Sequence, residues 1–554
     1  AAGDNAYTDL SLRIAHKFSD KFAAKINFGY LKGTDWAAVS EVDKIDPNRT
    51  RADLDYDGIN IYGDEVSANI RTEAPESVKG IIPDVDVSRT GYNEKYLTNY
   101  NAESIKADWG LYYRPFEDDF EIAYVGKVGT GSTIYQGTNR YNIANFFQQQ
   151  HKLEIRNDNF FLRGYVVADK AGDSYDMVFT GININRAWKS DEDWFREYIE
   201  TYAGATLGGA TEEEAHAAAR TQAESGRFEP GTPEYQAAFD RSINDPDLST
   251  GSKFQDASKY YHSDANYNFS HLIDFAEIQV GGSYRRYSLN SSGTIYTDLD
   301  GPINYSEFGL YTQIQKSLEL NENLDLKLTG SVRFDKSEFF DGFFSPRLSA
   351  GLTINRDHNI RASVQTGFRN PTTQDLFIGL DAGRAILIGA APSNLDRYVR
   401  TFDISNEGQA IGQPGSVTQT GRVAYENSYK ASSVQAFGES KNPGDLEVAN
   451  PDLIKPEQVS SIEVGYRGKF SGIIVDLSAY YNSYKDFISQ EVVISPFYGT
   501  AGDGGLSIAA IANDDYQAWS TYTNSPADVN SYGASIGLST KIFGNFDLGG
   551  SYTY

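Results

Sequence analysis

The connections in this sequence alternate in length, and that alternation restricts the fold more than any single motif. The segments they join read as strands. Leu348, Ala350, Leu352 and Ile354 alternate with Arg347, Ser349, Gly351 and Thr353. After Asn355–His358 the pattern returns, with Ile360, Ala362 and Val364 against Asn359, Arg361, Ser363 and Gln365. Period two with one apolar and one polar face describes a strand whose two sides meet different surroundings. The same alternation recurs in pairs from Thr8–Lys17 with Lys21–Leu31 to Val529–Lys541 with Asn545–Tyr554. Every other connection is short, near 18–20, 115–119, 157–159, 270–274, 319–322, 355–358, 469–472 and 542–544. The seven between them, near 32–104, 136–147, 169–261, 290–304, 335–345, 367–456 and 488–528, are longer.

A soluble sandwich or propeller has no reason to gather its long loops at one end. A transmembrane antiparallel β-barrel does, with short turns in the periplasm and long loops outside. Tilted strands of about ten residues also have the length needed to cross the hydrocarbon layer. Closure removes the unpaired edges that lipid cannot satisfy. The expected fold is therefore all-β, one barrel across residues 1–554 with about 16 strands. Its long extracellular loops lie at about 32–104, 169–261, 367–456 and 488–528. Within 169–261, Asp191–Tyr202, Thr211–Ser225 and Pro233–Ile243 read as short helices, with Asp191 and Thr211 as N-caps.

Composition closes off other classes. With 38 Tyr, 31 Phe and 51 Gly the chain suits antiparallel strands, and with no Cys it has neither disulfides nor a thiolate metal site. A net charge of −27 argues against a nucleic-acid partner. No apolar run approaches the roughly 18 residues of a membrane helix, and no signal peptide opens the chain. Catalysis finds no support. The six His residues are scattered and no H-E-x-x-H, G-x-S-x-G or Walker loop is present, so no enzyme is expected.

Several stretches resemble the barrel of TonB-dependent outer-membrane receptors of the kind common in Bacteroidetes. They are Phe344–Arg347 (FSPR), Ile360–Leu376 (IRASVQTGFRNPTTQDL), Asn450–Tyr466 (NPDLIKPEQVSSIEVGY) and Val475–Phe487 (VDLSAYYNSYKDF). Asp57–Val66 (DGINIYGDEV) and Gly251–His262 (GSKFQDASKYYH) are similar to the same group. The resemblance implies an outer-membrane barrel of about 22 strands, with an N-terminal plug coupled to TonB that takes up a specific nutrient. That nutrient is an oligosaccharide, a peptide or a metal chelate. It also implies outer-membrane lipid as surroundings and a surface lipoprotein lid as a candidate partner. No plug or TonB box precedes Ala1 here, so the chain reads as a partial barrel. A passive porin is the alternative and a surface adhesin the weaker one.

Two groups of residues are candidate sites. Arg361, Arg369, Asn370 and Gln374 lie on or above the polar face of one strand, which in a barrel lines the lumen and faces plug or ligand. The alternative for Arg361 is an ion pair with a lumen carboxylate such as Asp476 or Glu463. Loop aromatics, among them Tyr398, Tyr425, Tyr498 and Trp519, are candidates for a ligand platform. The second group is Asp53, Asp55 and Asp57 followed by Gly58, with Asp64 twelve positions into the loop. The spacing D-x-D-x-D-G matches the start of a calcium loop, because alternate carboxylates before a glycine can wrap a hard cation. Ca²⁺ is the one cofactor expected, and a solvated acidic loop is the alternative.

Overall fold

The computed structural model describes every residue except 118, 138 and 384. Sixteen long strands form one curved antiparallel sheet. They are β1 Thr8–Lys17, β2 Phe22–Thr34, β3 Asn101–Tyr113, β4 Glu121–Gln136, β5 Arg140–Arg156, β6 Phe160–Lys170, β7 Lys259–Asn268 and β8 Glu277–Leu289. The second half comprises β9 Ile303–Asn321, β10 Leu324–Ser337, β11 Phe343–Ile354, β12 His358–Arg369, β13 Glu457–Phe470, β14 Ile473–Lys485, β15 Val529–Ile542 and β16 Phe546–Thr553. Each pairs with the next in sequence. Among the described residues β1 and β16 are not paired with each other, so the barrel wall remains open along one seam.

The wall places apolar side chains outward and polar ones inward. Leu310, Leu348, Ile360, Val364 and Ile462 are all exposed, as side chains meant for lipid must be when no lipid surrounds them. Five short turns each present an exposed Phe: Phe18, Phe116, Phe275, Phe470 and Phe543. They form an aromatic girdle at the turn end, the position of the periplasmic interface. Inside, charges pair across and along strands, as between Arg163 and Asp264 and between Arg333 and Asp335.

The loop end is built differently. The 35–100 segment packs on four helices of the 171–258 segment: α1 Met177–Trp188, α2 Asp191–Leu207, α3 Glu212–Ala223 and α4 Pro233–Ser242. The expected caps are partly revised. Thr211 does cap α3 in a reciprocal capping box with Glu214, but Ser190, one residue earlier than expected, caps α2. α1 was not expected at all. A second core joins 370–456 to 486–528 through a five-stranded sheet.

Two of the intermediate connections are tighter than expected. β4 runs to Gln136 and β5 begins at Arg140, inside the connection expected at 136–147. Tyr135 and Tyr141 stack across that extension at 6.1 Å. The connection expected at 335–345 narrows to 338–342 in the same way. Strands here extend beyond the membrane-crossing length wherever a neighbour lets them pair.

Candidate functional site

On the lumen face near the loop end, β6 to β12 enclose a cavity of about 880 Å³. Its charged groups are interlocked. Arg163 donates two hydrogen bonds to Asp264, at 2.7 and 2.8 Å, and His262 Nε2 lies 3.4 Å from the same carboxylate. Arg333 donates to Asp335 and, at 3.0 Å, to the Ser283 hydroxyl. Arg369 donates to Glu457 at 3.0 Å and the Asn370 amide to Glu307 at 2.8 Å. Arg285, 3.9 Å from Glu307, and Lys336, 3.9 Å from Asp341, are the loosely held cations.

One wall is aromatic. Tyr287 and Tyr305 stack at 4.5 Å and 14°, and Tyr260 packs on Tyr287 at 5.2 Å. Tyr311 lies flat across β8: a Cβ on Gly281 would sit 2.4 Å from its ring, so only glycine leaves room there. Arg333 covers Gly309 in the same manner. Large lumen side chains thus lie against the wall and leave the interior open.

Of the residues expected at this face, Arg369 and Asn370 line the cavity. Arg361 sits deeper and pairs with Asp476 at 3.4 Å, the structural role weighed for it above. Gln374, on the short helix Thr373–Phe377, reaches the Tyr522 hydroxyl at 3.5 Å. The residues that sequence reasoning missed, Arg163, Asp264, Arg285, Glu307 and Tyr305, all share the inward parity of their strands. That parity is the signal that could have found them.

The expected aromatic platform is corrected. Tyr398, Tyr425, Tyr498 and Trp519 are buried, Trp519 completely. Trp519 meets Tyr398 edge-on, the Tyr425 hydroxyl bonds backbone at Ile388 and Tyr522, and the Tyr498 hydroxyl donates to Asp515 at 2.8 Å. Loops of this length bury their own apolar surface, and large aromatics supply most of it.

The four carboxylates of the expected calcium loop fall into two groups. Asp53 turns back to accept from the Thr50 backbone N–H at 2.7 Å, and that bond holds its carboxyl below the usual range. Asp55 pairs with Arg49 at 2.9 Å. Neither joins Asp57 and Asp64. Instead Asp57, Asp64 and Glu65 converge, with one oxygen from each lying within 4.8 Å of the others. Lys44 Nζ contacts Asp57 at 2.8 Å and Glu65 at 3.0 Å. Burial first, and Glu65 second, push the Asp64 carboxyl upward.

Known proteins share this architecture. The family model described as TonB dependent receptor-like, beta-barrel matches residues 180–554. The vitamin B12 transporter BtuB of Vibrio vulnificus is 23% identical over 211 residues, which are 38% of this chain and 22% of that protein. A mutant of the ferric enterobactin receptor PfeA from Pseudomonas aeruginosa aligns over 99% of this chain and 59% of its own, at 12% identity and a TM-score of 0.52. The same receptor in complex with BCV-L6 aligns with a TM-score of 0.50, also at 12% identity and over 60% of its own chain. The chain thus spans about a fifth of the curated relative's length and about three fifths of the solved receptor's.

Proposed function

Because this chain belongs to the TonB-dependent receptor-like β-barrel family of the outer membrane, we propose that it forms the wall of an active importer. The whole protein would couple through TonB to capture one nutrient. Members of the family are transporters and receptors rather than enzymes. The observation that carries the reading is the cavity at the mouth of the lumen, walled by Tyr287 and Tyr305 and ringed by paired charges. Four guanidinium groups line it, from Arg163, Arg285, Arg333 and Arg369, against carboxylates of Asp264, Glu307 and Asp335. Lys336 adds a fifth cation to that lining and every one of those carboxylates already has a partner, so the wall is mildly cationic and rich in both donors and acceptors.

Such a wall fits a polar ligand with hydroxyl or amide groups and a flat face for Tyr stacking. Oligosaccharide and peptide meet that description, since most of the cations a polyanionic chelate would need, those of Arg163, Arg333 and Arg369, are already held by carboxylates, leaving Arg285 and Lys336 in looser pairs. The solved relatives named above handle ferric enterobactin and the curated one vitamin B12. At 12% and 23% identity, those ligands do not transfer to this chain.

The test is uptake by cells producing the full-length protein, with and without a functional TonB. Loss of uptake on removing TonB is the expected result. Uptake that persists, together with steady ion conductance in planar bilayers, would establish the porin reading instead. Mass spectrometry of what co-purifies would name the ligand, and Arg285→Ala should weaken its retention about tenfold, the loss of one charge-assisted bond worth about 1.4 kcal/mol.

A further inference from the structure

The convergence of Asp57, Asp64 and Glu65 takes no part in the lumen cavity, and its chemistry is distinctive. All three candidate ligand atoms are carboxylate oxygens, with no imidazole or thiolate among them. Among the described residues, the ammonium of Lys44 reaches Asp57 and Glu65 but not Asp64. Asp64 is 1% exposed; one of its oxygens accepts from the Gly58 N–H at 3.0 Å, and the other, Oδ1, is buried with no hydrogen-bond partner. A buried carboxylate oxygen without a donor destabilises the fold that holds it.

We propose that Asp57, Asp64 and Glu65 form a divalent-cation site, with calcium as the ion whose ligand preference they meet. Oxygen-only donors select hard cations over zinc or copper, and flexible carboxylates from a loop suit calcium's tolerant geometry better than magnesium's strict octahedron. One divalent ion supplies the partner that Asp64 Oδ1 lacks. Lys44, about a third exposed, holds part of the same space and has a path to solvent, so it competes with the ion.

The site would act as a fastener. It lies beside the point where the 35–100 loop touches α1. A Cβ on Gly181 would sit 2.3 Å from the Tyr62 carbonyl oxygen, and one on Gly63, at φ +105°, would sit 3.0 Å from the Gly181 carbonyl. Glu65 also borders an extracellular crevice of about 880 Å³, whose other walls include Phe179, Ile182 and Arg186 of α1. Ion binding would therefore fix one wall of that crevice against another.

The experiment uses the full-length receptor in detergent, stripped with chelator and titrated with CaCl₂ at constant ionic strength. Thermal unfolding and protease cleavage within 35–100 are followed together. Extracellular calcium modules bind at about 10⁻⁴–10⁻³ M, so roughly 10 mM Ca²⁺ should raise the loop transition by several degrees and slow cleavage. Asp64→Asn should abolish the shift, and Asp53→Asn and Asp55→Asn should leave it intact. Lys44→Met, which removes the competitor and keeps all three carboxylates, should lower the calcium midpoint. No shift in the wild type, an equal shift with matched NaCl, or a shift lost in Asp53→Asn would each overturn the site. So would an unchanged midpoint in Lys44→Met, which keeps the proposal testable if Asp64→Asn fails to fold.

Discussion

The strand wall and the loop cap solve the same problem in opposite senses. In the wall, Leu348, Ile360 and Val364 face outward and are exposed, while the arginines and carboxylates face inward. In the cap, the apolar groups lie inside. The largest fully buried side chains of the protein, led by Trp194, Trp519 and Arg89, all belong to the cap and none to β1–β16. Both arrangements remove apolar surface from water. The wall does so by handing it to lipid, and the cap by packing it against itself. Stability in the two regions therefore rests on different terms, and substitutions can separate them.

Trp194 gives the largest expected effect. It fills the core between α2, α3 and the 35–100 loop, stacks on Tyr198 at 5.4 Å, and has Arg89 and Arg220 each 5.8 Å from its ring. Trp194→Ala should cost the cap about 3–5 kcal/mol, the usual range for emptying an aromatic site in a core. Limited proteolysis should then cut within 171–258, while the heat-dependent mobility of the barrel on gels stays as in the wild type. If both were lost together, wall and cap would be one cooperative unit and the contrast would fail.

Asp176 comes next and tests the cap alone. It is fully buried at the start of α1, accepting from the N–H groups of Val178 and Phe179 and from the Asn139 amide. Burial nevertheless pushes its carboxyl up to about 7. Its folded value then lies above the unfolded one near 3.9. Between about pH 4 and 7 the unfolded state holds fewer protons, so cap stability falls as pH rises through that window and levels off above it. The full swing for one such group is at most about 4 kcal/mol. Melting curves of the cap at pH 4.5 and 7.5 should show it, and Asp176→Asn should flatten the difference.

The same contrast explains what could be read from the sequence. The wall was legible because each lumen or lipid position is fixed by parity, and parity survives small errors in strand ends. Arg361 and Ile360 needed no coordinates to be placed on opposite faces. In the cap α2, α3 and α4 were legible from their caps and composition, but their packing was not, because its contacts join residues far apart in the chain. Nothing local distinguishes a tyrosine such as Tyr398, packed on Trp519, from one that waits for a ligand. α1 shows the limit most clearly. Val178, Ile182, Ile184 and Gly181 argue against a helix by propensity, yet every residue from Met177 to Asn185 is buried and Asp176 caps the first turn. The acidic loop divides for a related reason. The spacing of Asp53, Asp55 and Asp57 suggested one wrapped ion, but Thr50 and Arg49 claim the first two carboxylates, and Glu65 enters from beyond the motif.

The smallest effect is the sharpest, because it falls on two adjacent residues. Val364 sits mid-way along β12, outward and exposed, opposite Leu348 on β11 and Ile462 on β13. Ser363 points into the lumen, opposite Glu463. An arginine at the bilayer midplane costs about 2–4 kcal/mol on the lipid face and little on the lumen face. Val364→Arg should therefore lower the yield of folded, heat-modifiable barrel and shift its denaturant midpoint downward. Ser363→Arg should assemble normally, since Glu463 can partner the new charge in the water-filled interior. An acidic pair, Val364→Asp and Ser363→Asp, should keep the same order with a smaller gap, because carboxylates are less costly than guanidinium groups at that depth. Equal tolerance at both positions would mean that the outward face of β12 does not meet lipid, and the opposition between wall and cap would have no physical basis.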